Sequence, residues 1–260
     1  MPRIFIFGLG YTASRIGAAL ADKGWDVMST GRDGTLRFDD SGNVRLALAD
    51  SDAVLSSVPP EGTGCDPALD AYGDALDGKT LLYLSSTGVY GDAKGAWVDE
   101  SAPVGTGRRT ARTDADGEWL ARGARVLRLP GIYGPGRSAL ERVREGKAHR
   151  IDLPDQVFSR VHVDDIVSGA VAALRSPPGA YNLADDLPAS QNAVIEHACC
   201  LLGLPLPPLQ SMEQANLSPM ARGFYAENRR VANGKARRLL GWAPLYPTFA
   251  EGLSACLARA

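Results

Sequence analysis

A short apolar run, Ile4-Phe5-Ile6-Phe7, leads directly into Gly8-Leu9-Gly10-Tyr11-Thr12-Ala13. In this G-x-G-x-x-A spacing the first glycine permits a tight turn and the second lets a diphosphate approach the backbone, while Ala13 is small enough for a helix to sit close to the preceding strand. The N–H groups at the start of that helix then face the anion. The pattern is weak alone and gains force from its place between a strand and a helical stretch running from about Thr12 to Lys23, closed by Gly24. It predicts a dinucleotide site built on Gly8, Gly10, Tyr11, Thr12 and Ala13; an ordinary strand-to-helix turn is the alternative.

The next strand, Trp25 to Thr30, ends Val27-Met28-Ser29-Thr30-Gly31-Arg32. An NAD site commonly places an acid at this tip to hold the ribose 2′-hydroxyl, and none is present. Arg32 can instead grip a 2′-phosphate through its planar fork, with Ser29 or Thr30 as further donors. NADP(H) is the expected cofactor and NAD the alternative, with a solvated arginine beside Asp33 as the other reading of Arg32.

The elements that must position these residues follow from apolar periodicity. Thr35 to Phe38 is expected as a short third strand and Ala53 to Val58 as a fourth, stopped by Pro59-Pro60. Thr80 to Ser85 and Ala124 to Leu129 are further buried-strand runs, separated by a helical stretch from about Thr110 to Arg122. Beyond Pro130 come a turn (Gly131 to Gly136), a charged helix (Ser138 to Glu145) and a strand-like piece from Phe158 to Val163. Asp164 and Asp165 are expected to cap a helix from Ile166 to Leu174, and Ala180 to Leu183 reads as a last strand. Solid apolar strands alternating with helices predict an α/β fold, a Rossmann-type doubly wound parallel sheet with a small, mostly helical C-terminal substrate lobe. The sheet domain is expected over 1–131, completed by about 155–183, and the substrate-binding lobe over 132–154 and 184–260.

Several of these motifs, in order, resemble the extended branch of the short-chain dehydrogenase/reductase superfamily, which includes nucleotide-sugar epimerases and dehydratases. They are Tyr83-Leu84-Ser85-Ser86-Thr87-Gly88-Val89-Tyr90-Gly91, Arg128-Leu129-Pro130-Gly131-Ile132-Tyr133-Gly134-Pro135-Gly136, Val161-His162-Val163-Asp164-Asp165, Tyr181-Asn182-Leu183-Ala184 and Leu239-Leu240-Gly241-Trp242-Ala243-Pro244. The resemblance covers nearly the whole chain. It implies Ser86 in the place that orients a substrate hydroxyl, with Tyr90 four residues on as a second catalytic candidate; a Ser86 hydroxyl that caps local backbone is the alternative. It further implies cofactor contacts from Asp39, Val58, Pro59, Ser85 and Pro130. Asp39 would reach the adenine, or cap a helix together with Asp40.

The same comparison exposes a gap. The family's proton transfer rests on a Tyr-x-x-x-Lys pair, and those places fall on Thr110 and Asp114 when Glu118 is taken as the glutamate that follows the pair. No other tyrosine or lysine lies between Gly95 and Pro130. Threonine is not an acid near neutrality, and an aspartate carries the wrong charge to lower a neighbour's pKa. Three readings follow: an atypical reductase or epimerase-like enzyme whose proton donor is Tyr90, Tyr133 or His162; an NADP-binding regulatory or sensor protein; or a scaffold that keeps only the fold.

A formal net charge of -2 over 260 residues gives no general attraction for nucleic acid or an anionic membrane. A signal-peptide pattern is lacking and no run approaches the roughly 18 apolar residues of a spanning helix, so a cytoplasmic location is expected. Cys65, Cys199, Cys200 and Cys256 show no metal-ligand spacing, and no metal site is expected. Arg137, Arg142, Arg144 and Arg150, with Arg229-Arg230 later, suit an anionic small-molecule substrate as well as a solvated face. His162 between two valines reads as a core histidine, and Trp242 as packing of the terminal lobe. Both a monomer and a homodimer are compatible with the sequence.

Overall fold

The computed structural model describes residues 1–62, 66–107 and 110–259, apart from the side chains of 220 and 221. Cys65 lies outside the described residues. Six strands form one parallel sheet: β1 (Arg3–Phe7), β2 (Asp26–Ser29), β3 (Ala53–Ser56), β4 (Thr80–Ser86), β6 (Arg125–Leu129) and β10 (Gly179–Asn182). β5 (Trp97–Val98) lies outside it and pairs with a later short strand. The spatial order is β10-β6-β4-β3-β1-β2, so the chain reverses direction of winding between β1 and β3. Open α/β sheets bind ligands beyond the strands' carboxyl ends at such a switch point.

Helices cover both faces. α1 (Tyr11–Ala21) and α6 (Val163–Ala173) pack Ala13, Ile16, Leu20, Ile166 and Ala170 against Ile4, Ile6 and Leu55. The opposite face holds α2 (Ser41–Ala49), α3 (Pro67–Tyr72) and α4 (Thr110–Ala121), which bury Leu48, Tyr72 and Trp119 against Phe5, Phe7 and Tyr83. Trp119 stacks on Tyr83 with 5.4 Å between ring centroids, and its Nε1 donates to Asp66 at 2.9 Å. This meets the polar requirement of a buried indole.

The strand β7 (Gly131–Tyr133) pairs with β9 (Arg160–His162), and α5 (Ala139–Arg144) follows β7. A separate core joins Leu140 and Val143 to Val194, Ile195 and Ala198 of α7 (Gln191–Leu202) and to Leu253 of α10 (Phe249–Ala258). Two short pairs brace this region, β8 (Arg150–Ile151) with β11 (Leu209–Gln210) and β12 (Arg230–Val231) with β5. α8 (Pro219–Phe224) and α9 (Gly234–Leu240) lie between α7 and α10 in the chain.

Four local expectations are corrected. Thr35 to Phe38 is not a strand: Leu36 makes a single bridge to Thr30, and Thr35 Oγ1 satisfies Ser29 N instead of a ladder. The stretch from Gly131, expected as a turn, begins with β7. α6 begins at Val163, capped by His162 Nδ1 accepting from Asp164 N at 3.2 Å, rather than by the aspartates. Trp242 packs in the core shared by α1 and α6, its Nε1 donating to Asp165 O and Ser168 Oγ, and not in the terminal lobe.

Candidate functional site

β1 ends in the glycine turn. Gly8 sits at φ +82, a region glycine enters without strain, and the N–H groups of Gly8 and Leu9 both donate to Thr30 O, at 3.1 and 2.9 Å. The turn is thereby tied to the tip of β2. Gly31, at φ +140, approaches so closely that a Cβ there would stand 2.8 Å from Leu9 N. Gly10 caps α1 with extended backbone, no side-chain cap and open space where its Cβ would project. α1 carries no acid in its first turn, so the positive end of the helix faces that open space unopposed. These features fit a diphosphate. Ala13 lies in the core as its small size requires, and Thr12 is buried at the helix start. Tyr11 turns away, its hydroxyl donating to Pro135 O at 3.1 Å beneath the guanidinium of Arg15, 4.0 Å from its ring centroid.

At the adjoining strand tips, Arg32 is exposed beyond β2. Asp39 is held at the surface by two hydrogen bonds from Arg37, and its neighbour Asp40 caps α2 by accepting from Asn43 N. Val58 packs beside Gly8, and Pro59 is exposed. Ser57, which the sequence did not single out, donates its hydroxyl to Gly8 O at 2.5 Å and braces the turn from β3.

The carboxyl ends of β4 and β6 open into a cavity of about 350 Å³. Ser86, Thr87, Gly88, Pro130 and Gly131 line its sheet side; Phe158, Leu217, Phe224 and Tyr225 line the rest, together with Arg142, His149 and Arg160. Ser86 Oγ accepts from Gly88 N at 3.1 Å, which leaves its hydroxyl proton free to donate.

Tyr90 is not at this cavity. The 3₁₀ turn Thr87–Tyr90 carries it inward, where its hydroxyl donates to Asn182 Oδ1 at 2.8 Å and accepts from Arg128 Nη1 at 3.0 Å. Burial pushes that hydroxyl up, against the lowering effect of Arg128. Ser85 is likewise inward, donating to Asp116 Oδ2 at 2.6 Å. Arg128 grips Asp116 through Nη2 at 2.7 Å and Nε at 3.1 Å. Ser85, Asp116, Arg128, Tyr90 and Asn182 thus form one buried chain of hydrogen bonds beneath the strand tips. Asp116 could have been noticed as an acid on the core-facing side of α4. Thr110 and Asp114 are both exposed on α4.

The expected arginine cluster disperses. Arg142 and Arg229 reach the cavity, the latter paired with Glu227 at 2.8 Å. Arg150 pairs with Glu196, Arg137 lies over Tyr11, Arg230 donates to Gly95 O, and Arg144 is exposed. Tyr133 has a buried hydroxyl without a hydrogen-bond partner among the described residues. His162 is fully buried; burial takes its pKa down to about 4, with Asp164 opposing, so it is neutral at pH 7. Among the described residues no group of three or more His, Cys, Asp or Glu is placed to hold a metal, and no helix is long and apolar enough to cross a membrane.

The parallel sheet, its switch point and the glycine turn define the fold of the extended short-chain dehydrogenases. Human epimerase family protein SDR39U1, solved with NADPH, is similar over 99% of this chain and 100% of its own, with a TM-score of 0.79 at 17% identity. The structure of a functionally unknown conserved protein from Silicibacter pomeroyi is 39% identical, covers 100% of this chain and 99% of its own, and has a TM-score of 0.89. The chain belongs to one family with that protein. Protein YeeZ of Escherichia coli K12 is 27% identical over 285 aligned residues, 95% of this chain and 97% of its own. A Streptomyces protein named 3-diazoavenalumate denitrifying reductase is 36% identical over 143 residues, 49% of this chain and 45% of its own. No family model matches the chain.

Proposed function

We propose that the chain is an NADP(H)-dependent reductase of a small anionic molecule. The observation that carries this reading is the Gly10 turn: an uncapped helix start facing open space, on the same sheet edge as the cavity lined by Ser86 and Gly131. Gly8, Gly10 and Thr12 would hold the diphosphate, with Arg32 on the 2′-phosphate and Val58 and Pro59 toward the adenosine. Pro130 and Gly131 would flank the nicotinamide. The solved relative bound to NADPH supports the cofactor choice, and the Streptomyces reductase supports the reaction class.

When bound, NADPH supplies a hydride. The residues of this chain offer no phenol–lysine pair for an accompanying proton, since Thr110 and Asp114 stand in those places and both are exposed. Ser86 would orient the substrate, and Tyr90 would act from behind the strand tips by holding Arg128. Such a site suits a reduction that leaves no alkoxide to protonate. Replacing a diazonium nitrogen pair by hydrogen is one: the carbon–nitrogen bond breaks, its electrons leave with N₂, and the hydride pair forms the carbon–hydrogen bond. For a carbonyl substrate, His149 or Tyr225 at the cavity would have to supply the proton.

The exposed Thr110 and Asp114 also favour a second reading, an NADP(H)-binding sensor without turnover. NADPH absorbance followed with an aryl diazonium salt, aldehydes, ketones and nucleotide sugars separates the two. Consumption of NADPH with at least one non-sugar substrate is expected; tight NADPH binding with no turnover across the panel would leave the sensor.

A further inference from the structure

Arg160 occupies an unusual electrostatic position. It is 7% exposed, lines the cavity, and has no carboxylate within ion-pair distance among the described residues. Asp185 is its closest acidic influence. Burial pushes that carboxyl up to about 8 against the charge of Arg160, and it makes no ion pair with the guanidinium. A buried guanidinium without a counter-ion is costly, and its presence at a cavity wall points to an anion that arrives from outside.

The hydrogen bonds of Arg160 also limit the shape of that anion. Nη1 donates to Phe158 O at 2.8 Å and to Ala189 O at 2.9 Å, which uses both its protons, and Nη2 donates to Gln191 Oε1 at 3.1 Å. Nε and the second Nη2 proton have no acceptor among the described residues. Two donors on one planar group suit the two oxygens of a carboxylate. Arg142 and His149 share the same cavity, whereas Arg229 is already neutralised by Glu227.

The remaining wall is apolar. Phe158 and Tyr225 pack edge to face with centroids 5.6 Å apart, next to Leu217 and Phe224. At about 350 Å³ the cavity is at the small end for ligand sites.

We infer that the cavity takes a planar aryl monocarboxylate, its carboxylate on Arg160 and its ring against Phe158 and Tyr225, and that it does not take a nucleotide sugar. The inference rests on the reductase reading only for which end of the molecule reacts. Arg160 is a binding and specificity residue in this account.

Calorimetric titration of the NADPH-saturated protein with trans-cinnamate, cinnamide and UDP-glucose tests it, with NADPH binding measured separately beforehand. Cinnamate is expected to bind at least about tenfold more tightly than cinnamide, which corresponds to about 1.4 kcal/mol, and UDP-glucose more weakly than either. Arg160→Gln should abolish the preference for cinnamate, and Arg160→Lys should keep part of it. Since Arg160 also holds two backbone carbonyls, the cinnamate and cinnamide comparison on the unaltered protein decides the matter if the variants do not fold. Equal affinities, no binding of either, or tighter binding of UDP-glucose would overturn the inference. If NADPH fails to bind, the same titrations run without it: the cofactor reading then falls, and the carboxylate site stands or falls on its own result.

Discussion

Arg128 and Asp116 form a doubly hydrogen-bonded ion pair whose side chains are 4% and 1% exposed. The pair lies beneath the tips of β4 and β6, and Ser85 and Tyr90 add hydrogen bonds to its two ends. It holds the floor of the cavity in place without entering it. Breaking a buried pair by removing one partner leaves a desolvated charge, which costs ~3–5 kcal/mol. Asp116→Asn should therefore lower unfolding stability by about that amount in urea titrations. A loss below about 1 kcal/mol would show that solvent reaches Arg128.

Gly8 and Gly10 of the phosphate turn, and Gly31 packed against it, should respond differently to alanine. Gly10→Ala meets nothing within 4 Å and replaces one helix-capping residue, so stability should stay within about 1 kcal/mol of the wild type. NADPH affinity should fall at least about tenfold, because the new methyl group enters the space the diphosphate needs. Gly31→Ala forces a Cβ against Leu9 N and a backbone angle costing ~1–3 kcal/mol, so it should lose stability as well. Gly8→Ala should resemble Gly31→Ala. Thermal melts and calorimetry on the three variants check this pattern, and unimpaired NADPH binding by Gly10→Ala would count against the turn as the cofactor site.

The contributions of Asp185 and Asp165 to stability should fall as pH rises from about 4 to about 8. Burial raises Asp185 to about 8 and Asp165 to about 6, so between the unfolded carboxylate range and these values the folded state binds more protons than the unfolded one. Ionising either group then works against the fold. Asp185→Asn removes the larger contribution, and should stabilise the protein at pH 8 while changing it little at pH 4. His162 opposes them over the lower part of this range: its pKa near 4 means that stability is lost as pH falls from about 6.5 through 4, the imidazole having to charge in a buried site. Urea midpoints at pH 4, 6 and 8 for wild type and Asp185→Asn test this, and a parallel pH profile for the two proteins would contradict it.

Tyr90→Phe should leave ligand affinity within about threefold and lower stability by ~1–3 kcal/mol, because Arg128 Nη1 and Asn182 Oδ1 each lose a buried partner. The hydroxyl faces Arg128 and Asn182 and does not line the cavity. A complete loss of activity with unchanged stability would instead make Tyr90 the proton donor.

The sheet was legible because parallel strands covered on both faces are written as solid apolar runs, as in Ile4 to Phe7 and Thr80 to Ser85. Thr35 to Phe38 misled because its apolar residues serve a loop that Thr35 closes onto Ser29 through its side chain. The glycine turn was legible as spacing; its brace from Ser57 was not, since a serine after a strand carries no pattern. Tyr90 lies four residues from Ser86, yet one 3₁₀ turn sends the two side chains to opposite sides of the strand tip. Arg160 was hidden within a strand-like stretch, where only the rarity of a charge among buried neighbours marked it. Such placements depend on contacts between residues far apart in the chain, as with Tyr90 and Asn182.

The most direct test of the account is a calorimetric comparison of NADPH and NADH on the wild type and on Arg32→Ala. Arg32 is exposed at the end of β2, on the sheet edge that carries the glycine turn. Wild type should bind NADPH at least about tenfold more tightly than NADH, and Arg32→Ala should bind the two equally by losing NADPH affinity alone, the expected effect of removing a charge-assisted contact worth ~1.5–3 kcal/mol. Equal binding of both nucleotides by the wild type would contradict the NADP(H) assignment, and binding of neither would contradict the cofactor site itself.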